Sequence, residues 1–290
     1  VKPIANFQTQ FQTLMSQKSS QNLPKKLSII GGGAAGCELA LAIISRWKAE
    51  TGTLPELSLI TDKDCLVPQM APRAGRIAEK ILRASGVDIL FNSRVTSIST
   101  NTLNIDNEKT HGFDACFLVT QVAAPSWLAD TGLELDSFGF VAVTSTLQST
   151  KHSHIFAAGD IAAVTKSPRP KAGVFAVRAG KILAQNLCRY VLGKPLIEWT
   201  PQTHYLALIG TGDRQAIAVR GDVVLAGRLF WYLKCWIDRR FMQKFKNLSM
   251  PVAPPITRFP GLSKTPLSRQ GDIAFAQHDP AFSSMRCLGC

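Results

Sequence analysis

The segment Gly31-Gly32-Gly33-Ala34-Ala35-Gly36 puts glycine where a phosphate-cradling turn requires a missing side chain. Its spacing is G-x-G-x-x-G. The first glycine permits the tight turn, the second lets a pyrophosphate approach the backbone, and the third lets the next helix pack closely. The helix start then offers free N–H groups and the positive end of its dipole to the phosphates. The pattern alone is a common glycine turn. Here it follows the apolar strand Leu27-Ser28-Ile29-Ile30 and precedes a helical stretch from Cys37 to Trp47 with Leu39, Ile43, Ile44 and Trp47 on one side. That setting points to a dinucleotide site with Gly31, Gly33, Ala34 and Gly36 in contact.

An acidic residue about 20 positions on, at the end of the second strand, normally binds the adenine ribose hydroxyls. Thr61 followed by Asp62 stands there. Asp62 or Asp64 serves one register later, Lys63 favours a 2′-phosphate, and a solvated polar turn is the plain alternative; NADH and NADPH both stay open. Other reactive side chains form no recognisable set. His111, His152, His154, His204 and His278 have no Ser-His-Asp or Cys-His arrangement around them. Cys287-Leu288-Gly289-Cys290 has C-x-x-C spacing but lacks the two further ligands a zinc site needs, so no metal is assigned.

The elements around the glycine turn read as α/β. Leu57–Thr61 and Val87–Leu90 are further strands, and Arg73–Ser85 is a helix closed by Gly86, where a left-handed residue ends helices. This strand, helix, strand, helix, strand order is what a parallel doubly wound sheet requires, because parallel neighbours need a crossover. Arg94–Ser99 and Thr102–Ile105 suit a β-meander, and Asp114–Thr120 returns as an apolar strand. A strand over Ser153–Ala158 and a helix over Ala172–Val191 follow. Then His204–Gly210 and Gln215–Val219 make an antiparallel hairpin about Thr211-Gly212-Asp213. A basic aromatic helix spans Arg228–Phe245, and 251–284, rich in Pro, Ser and Gly, is a linker.

At 290 residues and 46% hydrophobic, the chain can bury the cores of two domains, which excludes a disordered class. The formal charge of +13 favours anionic partners without choosing among them. Much of it lies in Arg228, Lys234, Arg239, Arg240, Lys244 and Lys246, set against Asp238. Together with Phe230, Trp231, Tyr232, Trp236 and Phe241 these could lie on an anionic membrane; packing onto the preceding domain with a basic outer face is the preferred reading, and peripheral membrane contact the alternative. Nucleic acid is not expected, since no recognition module accompanies the charge. Seven cysteines at irregular spacing suit a reducing compartment, cytoplasmic or organellar, and no targeting segment or membrane-spanning run is visible.

Two further motifs bring a resemblance. The loop continues as Gly36-Cys37-Glu38-Leu39-Ala40, and Ile155-Phe156-Ala157-Ala158-Gly159-Asp160 is a strand ending in Gly-Asp. Together they resemble the pyridine nucleotide-disulfide oxidoreductase superfamily, including type II NADH dehydrogenases. The resemblance implies FAD and NAD(P)H as cofactors. It places Glu38 near the nicotinamide and flavin, has Gly159 and Asp160 bind the flavin ribityl chain, and sets Gly173 and Val174 at a helix start under the isoalloxazine. Type II NADH dehydrogenases carry glutamines near the quinone where Val174 and Arg178 stand here, which argues against quinone reduction.

More specifically, Gly173-Val174-Phe175-Ala176-Val177-Arg178, Pro201-Gln202 and Leu233–Met242 resemble the flavoprotein half of a fusion with selenide, water dikinase. Met285-Arg286-Cys287-Leu288-Gly289-Cys290 resembles the opening of its kinase half, so a fused kinase domain after Cys290 is expected as partner. Val1 and Cys290 read as cut ends, with the first FAD glycine motif missing before Val1; such a fragment is expected to fold poorly alone. The expected organisation is a helix and connector of a truncated FAD domain at 1–26, an NAD(P)H domain at 27–113 inserted in that FAD domain, its later part at 114–193, a small α+β region at 194–250, the linker at 251–284 and the kinase opening at 285–290. The expected activity is hydride transfer from NAD(P)H through FAD to a small-molecule electron acceptor. A non-catalytic dinucleotide-binding scaffold is the alternative.

Overall fold

The computed structural model describes residues 4–16, 25–106, 108–120 and 122–246. In chain order they begin with helix α1 (Ile4–Ser16), strand β1 (Lys26–Ile30), helix α2 (Ala34–Thr51), strand β2 (Glu56–Ile60), helix α3 (Pro72–Ala84) and strand β3 (Val87–Leu90). A three-stranded antiparallel meander follows, β4 (Val95–Ile98), β5 (Thr102–Ile105) and β6 (Lys109–Gly112), and then β7 (Ala115–Leu118). The meander thus has one strand more than its sequence pattern displays.

β3, β2, β1 and β7 form one parallel sheet in that order. Alternation along each strand sends Leu27, Ile29, Leu57 and Leu59 into a core with Ile43, Trp47 and Leu82 of the two flanking helices. The opposite side chains, Ile30 and Ile60, pack on Leu103 and Phe113 of the meander. The sheet is therefore covered on both faces, as its near-continuous apolar runs require.

β7 differs from the sequence expectation. A boundary at 113/114 leaves it outside the nucleotide unit, yet it is hydrogen-bonded to β1 from Leu27↔Ala115 to Ile30↔Leu118. Asp114 locks the join: its Oδ2 accepts from the Lys25 and Lys26 N–H groups at 2.7 and 2.9 Å, and these bonds lower its pKa. Phe117 of β7 also meets Phe7 of α1 edge to face at 5.8 Å, so α1 closes that side of the sheet.

Further along, β8 (Val141–Val143) and β9 (Ala162–Val164) pair in parallel and pack with Leu128, Leu147 and Ala179 of helix α4 (Gly173–Val191). The strand expected over Ser153–Ala158 is reduced to a single bridge, Gln148↔Phe156. Its carbonyls and amides bond singly to the 147–149 turn, through Ser149 N–H to Ile155 O and Ala157 N–H to Leu147 O, so no continuous ladder forms. The fully buried Asn186 of α4 ties this region together: its Nδ2 donates to Thr146 O and Ile197 O, and its Oδ1 accepts from Ile197 N–H, each at 2.8 Å.

The expected hairpin is present as β10 (Ala207–Gly210) and β11 (Ala216–Arg220), and β12 (Val223–Gly227) adds a third strand that the sequence reading lacks. Helix α5 (Arg228–Lys246) packs on this sheet through Trp231 and Cys235 against Ala216. Its buried contacts are therefore with its own hairpin. Its outward residues include exposed Leu229, Tyr232 and Trp236 as well as cations, and the Arg240 guanidinium lies 5.3 Å from the Trp236 ring. No helix among the described residues is long and apolar enough to cross a membrane. The linker and the Cys287–Cys290 segment lie outside the described residues.

Replacing Asn186 by alanine leaves three backbone groups without their partner, at about 1–3 kcal/mol for each one left unsatisfied. Asn186→Ala is expected to destabilise the region around 140–199 by about 3 kcal/mol, read as a selective loss of amide hydrogen-exchange protection there while β1–β3 keep theirs.

Candidate functional site

The glycine turn owes its shape to contacts no side chain could share. Gly31 has φ +125°, and a Cβ there would collide with the Val119 carbonyl; its own N–H donates to Ile60 O at 2.8 Å. A Cβ on Gly36 would overlap the Gly31 carbonyl oxygen. Gly33, by contrast, is the N-cap of α2 and faces nothing within 4 Å. Close packing under the turn and open space over it are what a pyrophosphate needs. The N–H groups of the first turn of α2, from Ala34, have no acceptor inside the helix and converge on that space.

Thr61 is buried beneath the turn rather than presented to a ribose. A Cβ on Gly32 would lie 2.8 Å from its Oγ1, which accepts the Lys63 N–H at 3.3 Å. Asp62 is exposed and paired with Lys63 at 3.1 Å, leaving both signs of charge beside the glycine turn. Leu66 and Val67 close the turn from the side, with Val67 N–H bonded to Gly32 O at 2.8 Å. Cys37, directly after the loop, is a packing residue: burial pushes its thiol up to about 12, which removes it as a nucleophile.

Glu38 lies in the second turn of α2 and is engaged from the C-terminal hairpin. Its Oε1 accepts the Gly210 N–H at 3.2 Å and stands 3.5 Å from Lys234 Nζ, which also donates to Asp238 at 3.1 Å. Burial pushes the Lys234 ammonium down, but the Glu38 carboxylate and the bond to Asp238 outweigh it, so its pKa stands above the ordinary lysine value. Sequence reasoning missed Gly210 and Lys234. Lys234 read only as one cation of a basic helix, and nothing local marks its partner.

The second set of expected residues meets at the start of α4. Gly159, with φ +78°, and Asp160 form a tight turn whose glycine lies on Ala176 in the first turn of that helix. Gly173 and Val174 open α4 after Ala172, with no side chain capping their N–H groups. Lys171 reaches back to donate to Ala162 O at 2.6 Å and lies 3.8 Å over the Phe140 ring; burial lowers its pKa, against the raising influence of Asp136 and Asp160. Arg178, one turn on, donates to Gln202 Oε1 at 2.5 Å. Among the described residues no cluster of His, Cys, Asp or Glu could hold a metal ion.

A family model described as pyridine nucleotide-disulphide oxidoreductase matches residues 5–180, which include both sets of residues. The chain belongs to that family. FAD and NAD(P)H are the cofactors this membership brings, as the sequence resemblance implies. Relatives of this oxidoreductase include ferroptosis suppressor protein 1 of Xenopus tropicalis, 26% identical over 190 residues, covering 61% of this chain and 49% of that protein. The type II NADH:quinone oxidoreductase of Haemophilus influenzae is 27% identical over 186 residues, 59% of this chain and 41% of that one. The chain thus spans about half the length of the curated relatives it matches. In fold it is similar to the sulfide:quinone oxidoreductase of Aquifex aeolicus, with a TM-score of 0.63 and 18% identity over 81% of this chain and 61% of that one. It is likewise similar to the water-forming NADH oxidase of Lactobacillus brevis, TM-score 0.55, 23% identical, covering 72% of this chain and 45% of that one.

The residues present fit both groups. The open cradle at Gly33 accepts a pyrophosphate, and an acidic acceptor at Asp160 beside uncapped helical N–H donors matches the hydroxyls and carbonyls of a ribityl-isoalloxazine. The packing role of Gly36 and the cradle role of Gly33 separate by experiment. Gly36→Ala is expected to unseat α2 and abolish dinucleotide binding together with a fall of several degrees in melting temperature. Gly33→Ala has room for its methyl, so it is expected to keep the melting temperature and weaken dinucleotide binding about tenfold in calorimetric titration.

Proposed function

We propose that this chain is the electron-input module of an FAD-dependent NAD(P)H oxidoreductase that serves a small-molecule acceptor. The observation that carries the reading is that one family match includes two separate glycine turns against open helix starts, Gly31–Gly36 on α2 and Gly159–Asp160 on α4. When bound, the nicotinamide and the flavin supply the hydride chemistry; the protein supplies position and field.

In this proposal Gly31, Gly33, Ala34 and Gly36 hold the dinucleotide pyrophosphate on the first turn of α2. Asp62 and Lys63 face its adenine ribose. Glu38 lies beside the nicotinamide and orients it. Asp160 accepts hydrogen bonds from the ribityl hydroxyls, Gly159 makes the turn that brings its carboxylate there, and the N–H groups at Gly173 and Val174 face the flavin pyrimidine ring. The positive end of the α4 dipole favours negative charge at that ring.

The acceptor in this proposal is a selenium compound or a thiol carrier rather than a quinone. Val174 and Arg178 stand where type II NADH dehydrogenases carry glutamines, and Arg178 is engaged with Gln202. A fusion partner, the kinase half of a selenide, water dikinase beginning near Cys287, would receive the reduced product. The resemblance of Leu233–Met242 and Met285–Cys290 to that fusion supports this part of the reading.

The full-length protein is expected to be yellow, and NAD(P)H is expected to bleach its flavin absorption under anaerobic conditions. Asp160→Ala should weaken FAD binding at least about tenfold, as loss of a charged hydrogen bond of about 1.5–3 kcal/mol implies. Colourless protein after reconstitution with FAD overturns the proposal.

A further inference from the structure

We infer that Lys234 is a positioning residue that, with the Gly210 N–H, fixes the Glu38 carboxylate for the nicotinamide end of the dinucleotide. The inference rests on the placement of Glu38 beside the nicotinamide proposed above. A carboxylate in the second turn of a helix could be left to solvent. Here both its contacts fall on Oε1 and both come from the C-terminal unit, from the last residue of β10 and from α5. Neither uses Oε2, which leaves that oxygen to accept from a carboxamide N–H.

The donors are held rigidly. Gly212, with φ +80°, rests on α2 so closely that a Cβ would lie 2.5 Å from Leu41 O, and Ser45 Oγ donates to Gly212 O at 2.8 Å. Contacts at Glu38, Leu41 and Ser45 therefore seat the β10–β11 turn along successive turns of α2. Trp231 and Cys235 then fix α5 to β11, which sets where Lys234 can reach. Lys234 is only 23% exposed and anchored by Asp238, so little side-chain freedom is lost when it meets Glu38. Gly210 is shaped to the same carboxylate: a Cβ there would lie 3.0 Å from Glu38 Oε1. The C-terminal unit thus completes a site whose motif lies wholly in the nucleotide-binding unit.

The test uses the FAD-loaded protein and calorimetric titration with two probes: a redox-inert tetrahydro-NAD(P), which keeps the carboxamide, and ADP-ribose or its 2′-phosphate, which lacks the nicotinamide. Lys234→Met is expected to weaken the first about fivefold, the scale of one freed side chain, and leave the second unchanged. Lys234→Arg should restore binding to within about twofold of wild type. In a Glu38→Gln background Lys234→Met should add no further loss. Equal weakening of both probes, no weakening of either, or an additive double mutant overturns the inference. If Lys234→Met does not fold, Gly210→Ala carries the test, since its methyl would press Glu38 Oε1 at 3.0 Å and meet Lys234 Cε only in ordinary contact at 3.7 Å; absence of the selective loss there overturns it equally. Glu38→Gln with unchanged tetrahydro-NAD(P) binding overturns instead the placement of Glu38, so the two failures are distinguishable.

Discussion

The approach of Gly36 to the carbonyl of Gly31 sets the geometry on which the remainder of the molecule depends. It brings α2 against the end of β1 at a distance only two backbones without side chains allow. From that junction α2 runs back over the sheet, with Cys37, Ala40, Ile43, Ile44 and Trp47 buried on its inner face. Its start, by the same geometry, is open and uncapped. A single steric constraint thus serves packing on one side and leaves open, uncapped N–H groups on the other. It also explains why Gly33, which touches nothing, has to be grouped with the others by function rather than by packing.

α2 is also where the three parts of the chain communicate. Its inner face belongs to the parallel sheet, its first turn to the open glycine cradle, and its flank to the β10–β11 turn through Leu41 and Ser45. Glu38 lies where these meet. Its ion pair with Lys234 is partly shielded from water, so it is stronger than a surface pair and less screened by salt. The cation stays charged through the physiological range because Glu38 and Asp238 more than offset the cost of its burial.

The corner at Gly159-Asp160 relies on different physics. A left-handed glycine turns the chain so that Asp160 and the start of α4 share one corner, and Asn186 near the far end of that helix satisfies three backbone groups of the loops it crosses. Buried polar networks of this kind fix a single arrangement where the apolar core is small. Here that core is the short β8–β9 pair with Leu128, Leu147 and Ala179.

Much of this was legible in the sequence because it depends on local geometry. The glycine spacing, the apolar runs of β1 to β3, the helix start after Gly33 and the turn at Gly159-Asp160 are dictated by which φ values and which Cβ atoms the backbone tolerates, and these can be read from neighbours in the chain. The hairpin about Gly212 and the helix of Arg228–Lys246 are legible for the same reason. Tertiary contact decided the rest. An apolar strand such as Ala115–Leu118 carries no mark of its partner, so only the folded sheet assigns it to β1. Ile155–Ala158 looks equally strand-like and finds only one bridge. The direction of the aromatic face of α5 depends on which of Trp231 and Trp236 meets Ala216, which helical periodicity alone leaves balanced. The partners of Glu38 were invisible for the plainest reason: hydrogen bonding and charge pairing act through a few ångströms of space, and Gly210 lies 172 residues along the chain from the carboxylate it holds.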